Sequence, residues 1–410
     1  MKSWIRVLGI VIGCVTLFDT ASVSAQDWPQ WRGPNRDGKV AGFIAPVAWP
    51  EKLTQKWKVT VGDGVATPAL VGDKIFVFSR QDGNEVTRCI EAATGNEVWQ
   101  TTFTVDGATG PAARFSGPRS SPTVVDGKIM TLGVRGTLFC RDAATGQVLW
   151  QNNDFGNALP RFFTSCSPIV VNGLCIVQLG GEENGGAIVA YDLASGSQKW
   201  KWIEDGTAYA SPVLLTLDGA QEIVAETANN IVGIGVADGK LLWQVPFAVK
   251  GRAYNAATPI VDDTTVIYSG SGRGTKAVKI DKQGDQVTAR ELWSNAEASV
   301  QFNSPVLKNG LVFGISDRDM LFCIKAENNQ TAWTARTDGG RGYGSVVDAG
   351  SVLIALTPSG KLVVFEPSDK EFKEIASYKV ADGDTYAYPV IAGNRVFVKD
   401  KDSLTLWTIE

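Results

Sequence analysis

The sequence contains no histidine among its 410 residues. This excludes Ser-His-Asp and Cys-His nucleophiles, histidine-ligated zinc or iron, and the commonest general base of enzymes. The sequence also lacks a large excess of either charge, since the formal net charge is -4 and no block of like charges occurs. The sequence therefore lacks the basic patch that binding to nucleic acid or to an anionic membrane requires.

Long hydrophobic runs are also lacking. The longest extends from Val7 to Phe18, after two basic residues and before small residues that end at Ala25. This pattern is typical of a secretory signal peptide, and the run is short for a membrane span. We predict a signal peptide over residues 1–25, export to the periplasm or cell envelope, and no transmembrane segment. Lipid anchoring through Cys14 remains an alternative, because the residues before it also fit a lipoprotein signal.

A repeated motif dominates the rest of the chain. The stretch LFCRDAATGQVLW, which begins at Leu138, has a near copy in RCIEAATGNEVW, which begins at Arg88. Ser-Pro or Thr-Pro dipeptides recur at intervals of 44 to 54 residues, at prolines 68, 122, 168, 212, 259 and 305, with weaker echoes at residues 345 and 389. Repeats at a fixed spacing indicate a repeat architecture, here with eight units.

Each unit predicts four strands. Apolar and β-branched runs of about five residues alternate with Asp-Gly, Asn-Gly and Thr-Gly turns, which is typical of antiparallel strands. Radially arranged four-stranded units of this length form a β-propeller. We predict an all-β protein with a monomeric eight-bladed β-propeller of four-stranded antiparallel blades over residues 26–410.

The two ends of the chain predict how the ring closes. The last unit supplies only three strands, and the stretch LTQKWKV over residues 53–59 resembles the missing outer strand. We therefore predict that this N-terminal strand completes the last blade. Residues 26–52 form an N-terminal extension, and the role of Asp27 to Gly38 within it is left open.

One tryptophan per blade is interpreted as structural. Large apolar side chains on outer strands bury much area between neighbouring blades. The series is Trp57, Trp99, Trp150, Trp200, Trp243, Trp293 and Trp333, with Tyr378 in its place in the seventh blade.

The longest and least regular connections fall on the face of the propeller that carries the Ser-Pro dipeptides, so we place the binding face there. Its aromatic, arginine and amide side chains suit a peptide, a carbohydrate or a flat anionic ligand. The alternative is that they only solvate or plug the channel. The candidates are Arg119, Arg161, Tyr209, Tyr254, Asn255, Arg273, Gln301, Asn303, Arg341, Tyr343 and Tyr386. No catalytic or metal-ligating set is predicted.

The motif A-x-D-x-x-T-G-x-x-x-W resembles the repeat of pyrroloquinoline quinone (PQQ)-type propellers. It occurs here as AYDLASGSQKW from Ala190, and the resemblance covers nearly the whole chain after residue 25. The length is similar to that of the non-catalytic BamB branch of this superfamily. The opening DWPQWRGPNRDG from Asp27 looks like that of exported PQQ-like propellers of planctomycete type.

These resemblances imply three functions. The BamB branch implies a scaffold that binds envelope or outer-membrane proteins or an extended ligand, without a cofactor. The quinoprotein branch implies a dehydrogenase that uses PQQ and Ca²⁺ on alcohols or sugars, although the adjacent cysteine pair of many such enzymes is missing here. Binding of polysaccharide is the third, since tyrosines recur on the predicted binding face. Fold alone does not decide among them.

Overall fold

Eight four-stranded antiparallel sheets form a propeller ring in the computed structural model, which describes residues 27–156, 158–183, 185–249, 254–284, 286–340 and 342–410. The predicted fold is confirmed. Strand β1 (Thr54–Thr60) pairs antiparallel with β32 (Ser403–Thr408) and closes the ring, as predicted from residues 53–59. The predicted signal peptide and Cys14 lie outside the described residues. The described part contains no helix that is long and apolar enough to cross a membrane.

The other strands follow one another from the channel outward in each blade. Blade 1 has β2 (Ala69–Val71), β3 (Lys74–Gln81), β4 (Asn84–Glu91) and β5 (Glu97–Thr104); blade 2 has β6 (Thr123–Val125), β7 (Lys128–Leu132), β8 (Leu138–Asp142) and β9 (Val148–Asn152); blade 3 has β10 (Ile169–Val171), β11 (Leu174–Leu179), β12 (Ala187–Asp192) and β13 (Gln198–Trp202); blade 4 has β14 (Val213–Leu217), β15 (Ala220–Glu226), β16 (Asn230–Gly235) and β17 (Leu241–Pro246).

The second half of the ring repeats this order. Blade 5 has β18 (Ile260–Asp262), β19 (Thr265–Gly270), β20 (Gly274–Gln283) and β21 (Gln286–Asn295); blade 6 has β22 (Val306–Lys308), β23 (Leu311–Ile315), β24 (Met320–Lys325) and β25 (Thr331–Arg336); blade 7 has β26 (Ser345–Ala349), β27 (Val352–Leu356), β28 (Lys361–Phe365) and β29 (Glu374–Lys379); blade 8 has β30 (Val390–Ala392), β31 (Arg395–Lys399), β32 and β1. A 3-10 helix, Gly110–Phe115, links blades 1 and 2.

The ring has two different faces. In four of the blades the turn between the first two strands takes two residues with positive φ, such as Asp126 (48°) and Gly127 (70°), as in the tight turns of β-hairpins. These turns and the Thr-Gly turns lie on one side, which we call the turn face. The Ser-Pro connections lie on the other side, which we call the loop face.

Five tryptophans of the series dock one blade onto the next through an indole hydrogen bond. The indole nitrogen Nε1 of Trp150 donates to the carbonyl of Leu193 at 3.0 Å, and that of Trp99 donates to Ala143 at 3.1 Å. The glycine of the following Thr-Gly turn lies against the indole, so close that a Cβ at Gly146 would be 2.7 Å from Trp99. Equivalent indole contacts occur for Trp57, Trp200 and Trp333, whereas Trp243 bonds to Glu222 of its own blade and Trp293 is half-buried.

A belt of hydroxyl groups surrounds the channel and explains the Ser-Pro repeat. The backbone N–H of Thr67 donates to the hydroxyl of Ser121 at 3.0 Å, and the N–H of Ser121 donates to that of Ser167 at 2.9 Å. The belt continues with Ser211, and on the other side with Thr258, Ser304, the phenol of Tyr388 and Thr67 again. Six of these hydroxyls thus accept from a buried backbone N–H of another blade, whereas the Thr258 hydroxyl accepts from the indole of Trp31.

Replacing Ser121 by alanine is expected to lower the free energy of unfolding by about 1–3 kcal/mol, because the buried N–H of Thr67 loses its acceptor. Ser120→Ala is the matched control, since the neighbouring Ser120 hydroxyl is buried without a partner. Its removal should leave the stability unchanged or slightly higher. Chemical denaturation of both variants checks this, and equal losses would contradict the belt.

The N-terminal extension fills the channel from the turn face. Residues 27–43, which we call the plug, begin where the Asp27 carboxylate accepts from the N–H of Gly72 in a turn of blade 1. Trp28 then pairs with Leu70 through two backbone hydrogen bonds of 2.7 and 2.9 Å. The chain leaves again along β26, where the N–H of Val40 donates to the carbonyl of Asp348 at 2.8 Å. The plug therefore forms a loop whose tip points toward the loop face.

Side chains at the tip of the plug reach across the channel. Arg36 donates to the carbonyls of Ser167 (3.0 Å) and Pro168 (2.8 Å) on one side, and Arg32 donates to that of Pro305 (2.6 Å) on the other. Both guanidinium groups are buried, and burial lowers the pKa of Arg36 to about 10. The plug thus connects opposite sides of the ring, and this is the structural role of Asp27 to Gly38.

Hydrophobic cores lie between neighbouring blades. The plug residues Trp28, Val40 and Phe43 belong to one such cluster together with side chains of blades 1, 7 and 8. All five cysteines of the described residues are buried free thiols, and burial raises the pKa of the Cys166 thiol to about 11. They act as small apolar side chains here.

Candidate functional site

A cavity of about 280 Å³ opens at the centre of the loop face, and we call it the cup. Its floor is the indole of Trp31 at the tip of the plug, whose Nε1 donates to the hydroxyl of Thr258 at 2.8 Å. The cup is lined by Trp31, Val65, Pro111, Ala112, Arg114, Phe115, Arg119, Phe162, Ser165, Ser167, Tyr209, Ser211, Tyr254, Ala256, Phe302, Tyr343 and Tyr386.

Aromatic rings form a continuous arc around the cup. Tyr343 stacks on Phe302 with ring centroids 4.2 Å apart and planes 10° apart, and it meets Tyr386 at 4.4 Å. Tyr386 in turn makes a T-shaped contact with Phe115, with ring centroids 4.8 Å apart. On the other side Phe302 stacks on Tyr254 at 6.3 Å, and Tyr254 meets Phe162 and Tyr209 in T-shaped contacts. Each of these rings comes from a different connection between blades.

Two arginines border the cup. The Nη2 atom of Arg119 donates to the carbonyls of Ala112 (3.0 Å) and Phe115 (2.9 Å), which ties the 3-10 helix to the channel. Burial lowers the pKa of Arg119. Arg114 is more exposed and forms an ion pair of 2.6 Å with Asp384 at the rim.

A wider and shallower depression of about 750 Å³ adjoins the cup between blades 3 and 4. Arg161 lies there, exposed, with its guanidinium over the ring of Phe162 at 5.4 Å. The backbone N–H of Arg161 donates to the Glu182 carboxylate at 3.2 Å, and this carboxylate also accepts from the hydroxyl of Tyr209. Burial raises the pKa of Glu182. Tyr209 and Tyr254 line both the depression and the cup.

Several predicted site residues lie behind the wall of the cup. Asn255 and Asn303 are buried, and their amide groups donate to backbone carbonyls of Thr227 and Gly342 respectively. Arg273 stacks on Phe247 at 4.0 Å and donates to its carbonyl at 2.7 Å. These three hold connections in place and do not line the cup, while Asn255 lines the adjoining depression. Gln301 is half-buried and outside the cup, and Arg341 lies outside the described residues.

Trp31, Phe115, Phe162, Phe302 and Arg114 were missed by the sequence analysis. A signal was available for Phe302, because it lies two residues before a belt position, as do Tyr209 and Tyr386. No such signal exists for Trp31, since the plug lies outside the repeat.

The cup does not suit PQQ with Ca²⁺. Calcium takes six to eight oxygen ligands that usually include carboxylates, and no aspartate or glutamate lines the cup. Among the described residues no three acidic or thiol side chains come together in a way that could hold a metal ion.

A family model described as outer membrane protein assembly factor BamB matches residues 82–335, more than half of the chain. The chain belongs to the BamB family. BamB of Yersinia pestis is 23% identical over 364 residues, which cover 84% of this chain and 86% of that protein.

Solved structures show the same fold as this BamB-family chain. BamB from Moraxella catarrhalis superposes with a TM-score of 0.65 at 16% identity, over 87% of this chain and 98% of that one. The quinohemoprotein alcohol dehydrogenase of Comamonas testosteroni superposes with a TM-score of 0.71 at 15% identity, over 94% of this chain and 80% of that one. At these identities the likeness concerns the propeller and not the activity.

Proposed function

We propose that this protein is an exported, non-catalytic propeller scaffold that binds a partner protein of the cell envelope through the cup on its loop face. The observation that carries the proposal is the arc of aromatic rings around a blind cavity on the propeller axis. Aromatic side chains in a desolvated pocket are the usual anchors of protein interfaces. Relatives that cover most of the chain are named as assembly factors, which supports a partner of the same compartment.

The chemistry of the cup supports binding without catalysis. Its described lining contains tyrosine and serine hydroxyls, two arginines and apolar side chains, but no histidine, carboxylate or thiol. General acid–base and nucleophilic catalysis usually depend on such groups. The lining therefore suits recognition.

A photo-crosslinking amino acid in place of Ser165 tests this proposal, because Ser165 lines the cup. We expect a discrete covalent adduct with one envelope protein in cells, identified by mass spectrometry. Adding Tyr343→Ala should reduce the yield of the adduct at least several-fold, because this change removes the ring stacked on Phe302.

The control variant is Leu149→Ala, which truncates an exposed apolar side chain on the outer strand β9, away from the cup. It should leave the adduct unchanged. Adducts that Tyr343→Ala does not reduce, in a variant with an unchanged melting temperature, would refute the cup as the binding site. The absence of any adduct from the cup would do the same.

A further inference from the structure

The cup has one opening. Its floor, Trp31, is fixed by the hydrogen bond to Thr258 and by an edge contact with Tyr388 at 4.9 Å. Directly behind it the plug continues with Arg32 and Arg36, which are buried. A polymer cannot pass through such a channel. A ligand of the cup must be a small molecule, a chain end or one projecting group.

The size of the cup limits that group. Pockets for drug-sized ligands have volumes of about 300–1,000 Å³, and the cup has about 280 Å³. It therefore accepts little more than one ring and its substituents.

The walls favour a ring and disfavour a cation. Phe302 stacks on Tyr343 at 4.2 Å and on Tyr254 at 6.3 Å, with planes 10° and 23° apart. Cation binding by aromatic residues needs an open ring face, and the stacking of Tyr343 on Phe302 covers one face of each ring. Ring edges carry the positive side of the aromatic quadrupole, so they suit the face of another ring or an anionic group.

The charges of the cup also favour an anion. Arg114 and Arg119 are the charged side chains among its described lining residues, and no carboxylate lines it. Arg114 already pairs with Asp384. Arg119 has no ion-pair partner within the described residues, and its contact from Nη1 to the Gly117 carbonyl is long, at 3.5 Å. The charge of Asp63 acts on Arg119 without forming an ion pair with it, so the guanidinium can still bind a carboxylate directly.

From these features we propose that the cup binds a ring that carries a carboxylate, with the carboxylate at Arg119 and the ring against the aromatic walls. This inference rests on the proposed function of the cup as the binding site. Two sources share the chemistry: the C-terminal aromatic residue of a partner protein, and a free aromatic acid.

Calorimetric titration of the mature protein with N-acetyl-L-phenylalanine and with its amide tests the proposal. The two probes differ only in the carboxylate. We expect the acid to bind at least tenfold more tightly than the amide, since hydrogen bonds to an ionised group are the stronger ones. Equal affinities, or tighter binding of choline or of N-acetylglucosamine, would overturn the proposal.

Arg119→Gln should abolish the preference for the acid, and Arg119→Lys should retain part of it. Arg135→Gln is the matched control, because Arg135 lies on the same face over Phe163 but outside the cup. Arg119 also holds two carbonyls, so the melting temperature of each variant is measured first. A folded Arg119→Gln protein that still prefers the acid would overturn the proposal. If that variant does not fold, the comparison of acid and amide on the unaltered protein decides.

An eight-residue peptide that ends in phenylalanine distinguishes the two sources. If it binds more tightly than N-acetyl-L-phenylalanine, and loses this affinity when its C-terminus is amidated, the ligand is a chain end. If it binds more weakly, the ligand is a free acid. An adduct in the photo-crosslinking experiment without any preference for the acid would leave the proposed function intact and refute this inference alone.

Discussion

Replacing Trp28 by alanine is expected to lower the free energy of unfolding by about 3–5 kcal/mol, the usual cost of truncating a buried aromatic side chain. Trp28 is only 1% exposed and packs in the cluster shared by the plug and blades 1, 7 and 8. The loss would also free the tip of the plug, which carries the floor of the cup. Chemical denaturation followed by circular dichroism measures the change.

Trp28→Phe is the control for this prediction. The indole N–H of Trp28 is buried without a hydrogen-bond partner, so a phenyl ring gives up no polar contact. We expect it to cost less than half as much as alanine. If Trp28→Ala lowered the free energy of unfolding by less than about 1 kcal/mol, the plug would not hold the ring together.

Gly146→Ala is expected to cost about 2–5 kcal/mol, the sum of two effects. Gly146 has φ of +76°, a conformation that costs a residue with a Cβ about 1–2 kcal/mol. In addition the new Cβ would lie 2.7 Å from the indole of Trp99, which must move at a further cost of about 1–3 kcal/mol.

Gly127→Ala separates these two effects. Gly127 has nearly the same φ, +70°, but a Cβ there would meet nothing within 4 Å. It should therefore show the conformational cost alone. Thermal and chemical denaturation of both variants check the difference, and equal losses would mean that the contact between Thr-Gly turn and tryptophan does not lock neighbouring blades.

The repeat made the fold predictable from the sequence. Eight copies of the same pattern of strands and turns reinforce one another, so an error in one unit does not change the architecture. The missing fourth strand of the last unit even predicted the pairing of β1 with β32, which joins residues more than 340 positions apart. The belt explains why serine or threonine precedes the proline, which the pattern alone did not reveal.

The site was less predictable because burial decides which polar residues are accessible. Asn255 and Tyr254 are neighbours in the sequence. The tyrosine lines the cup, whereas the amide of the asparagine donates hydrogen bonds to buried backbone carbonyls and does not line the cup. Trp31 belongs to a segment with no second copy, so nothing in the sequence could be compared with it. Its place beneath the cup follows only from the three-dimensional path of the plug.

The position of the plug has a consequence for the order of assembly. Residues 27–43 precede all eight blades in the chain, so they are made first, but they contact blades at both ends of the sequence, from Leu70 to Tyr388. Contacts between distant residues form late and slowly. The plug is therefore synthesised before the blades but is among the last elements to reach its place, and until then its apolar side chains remain exposed to solvent.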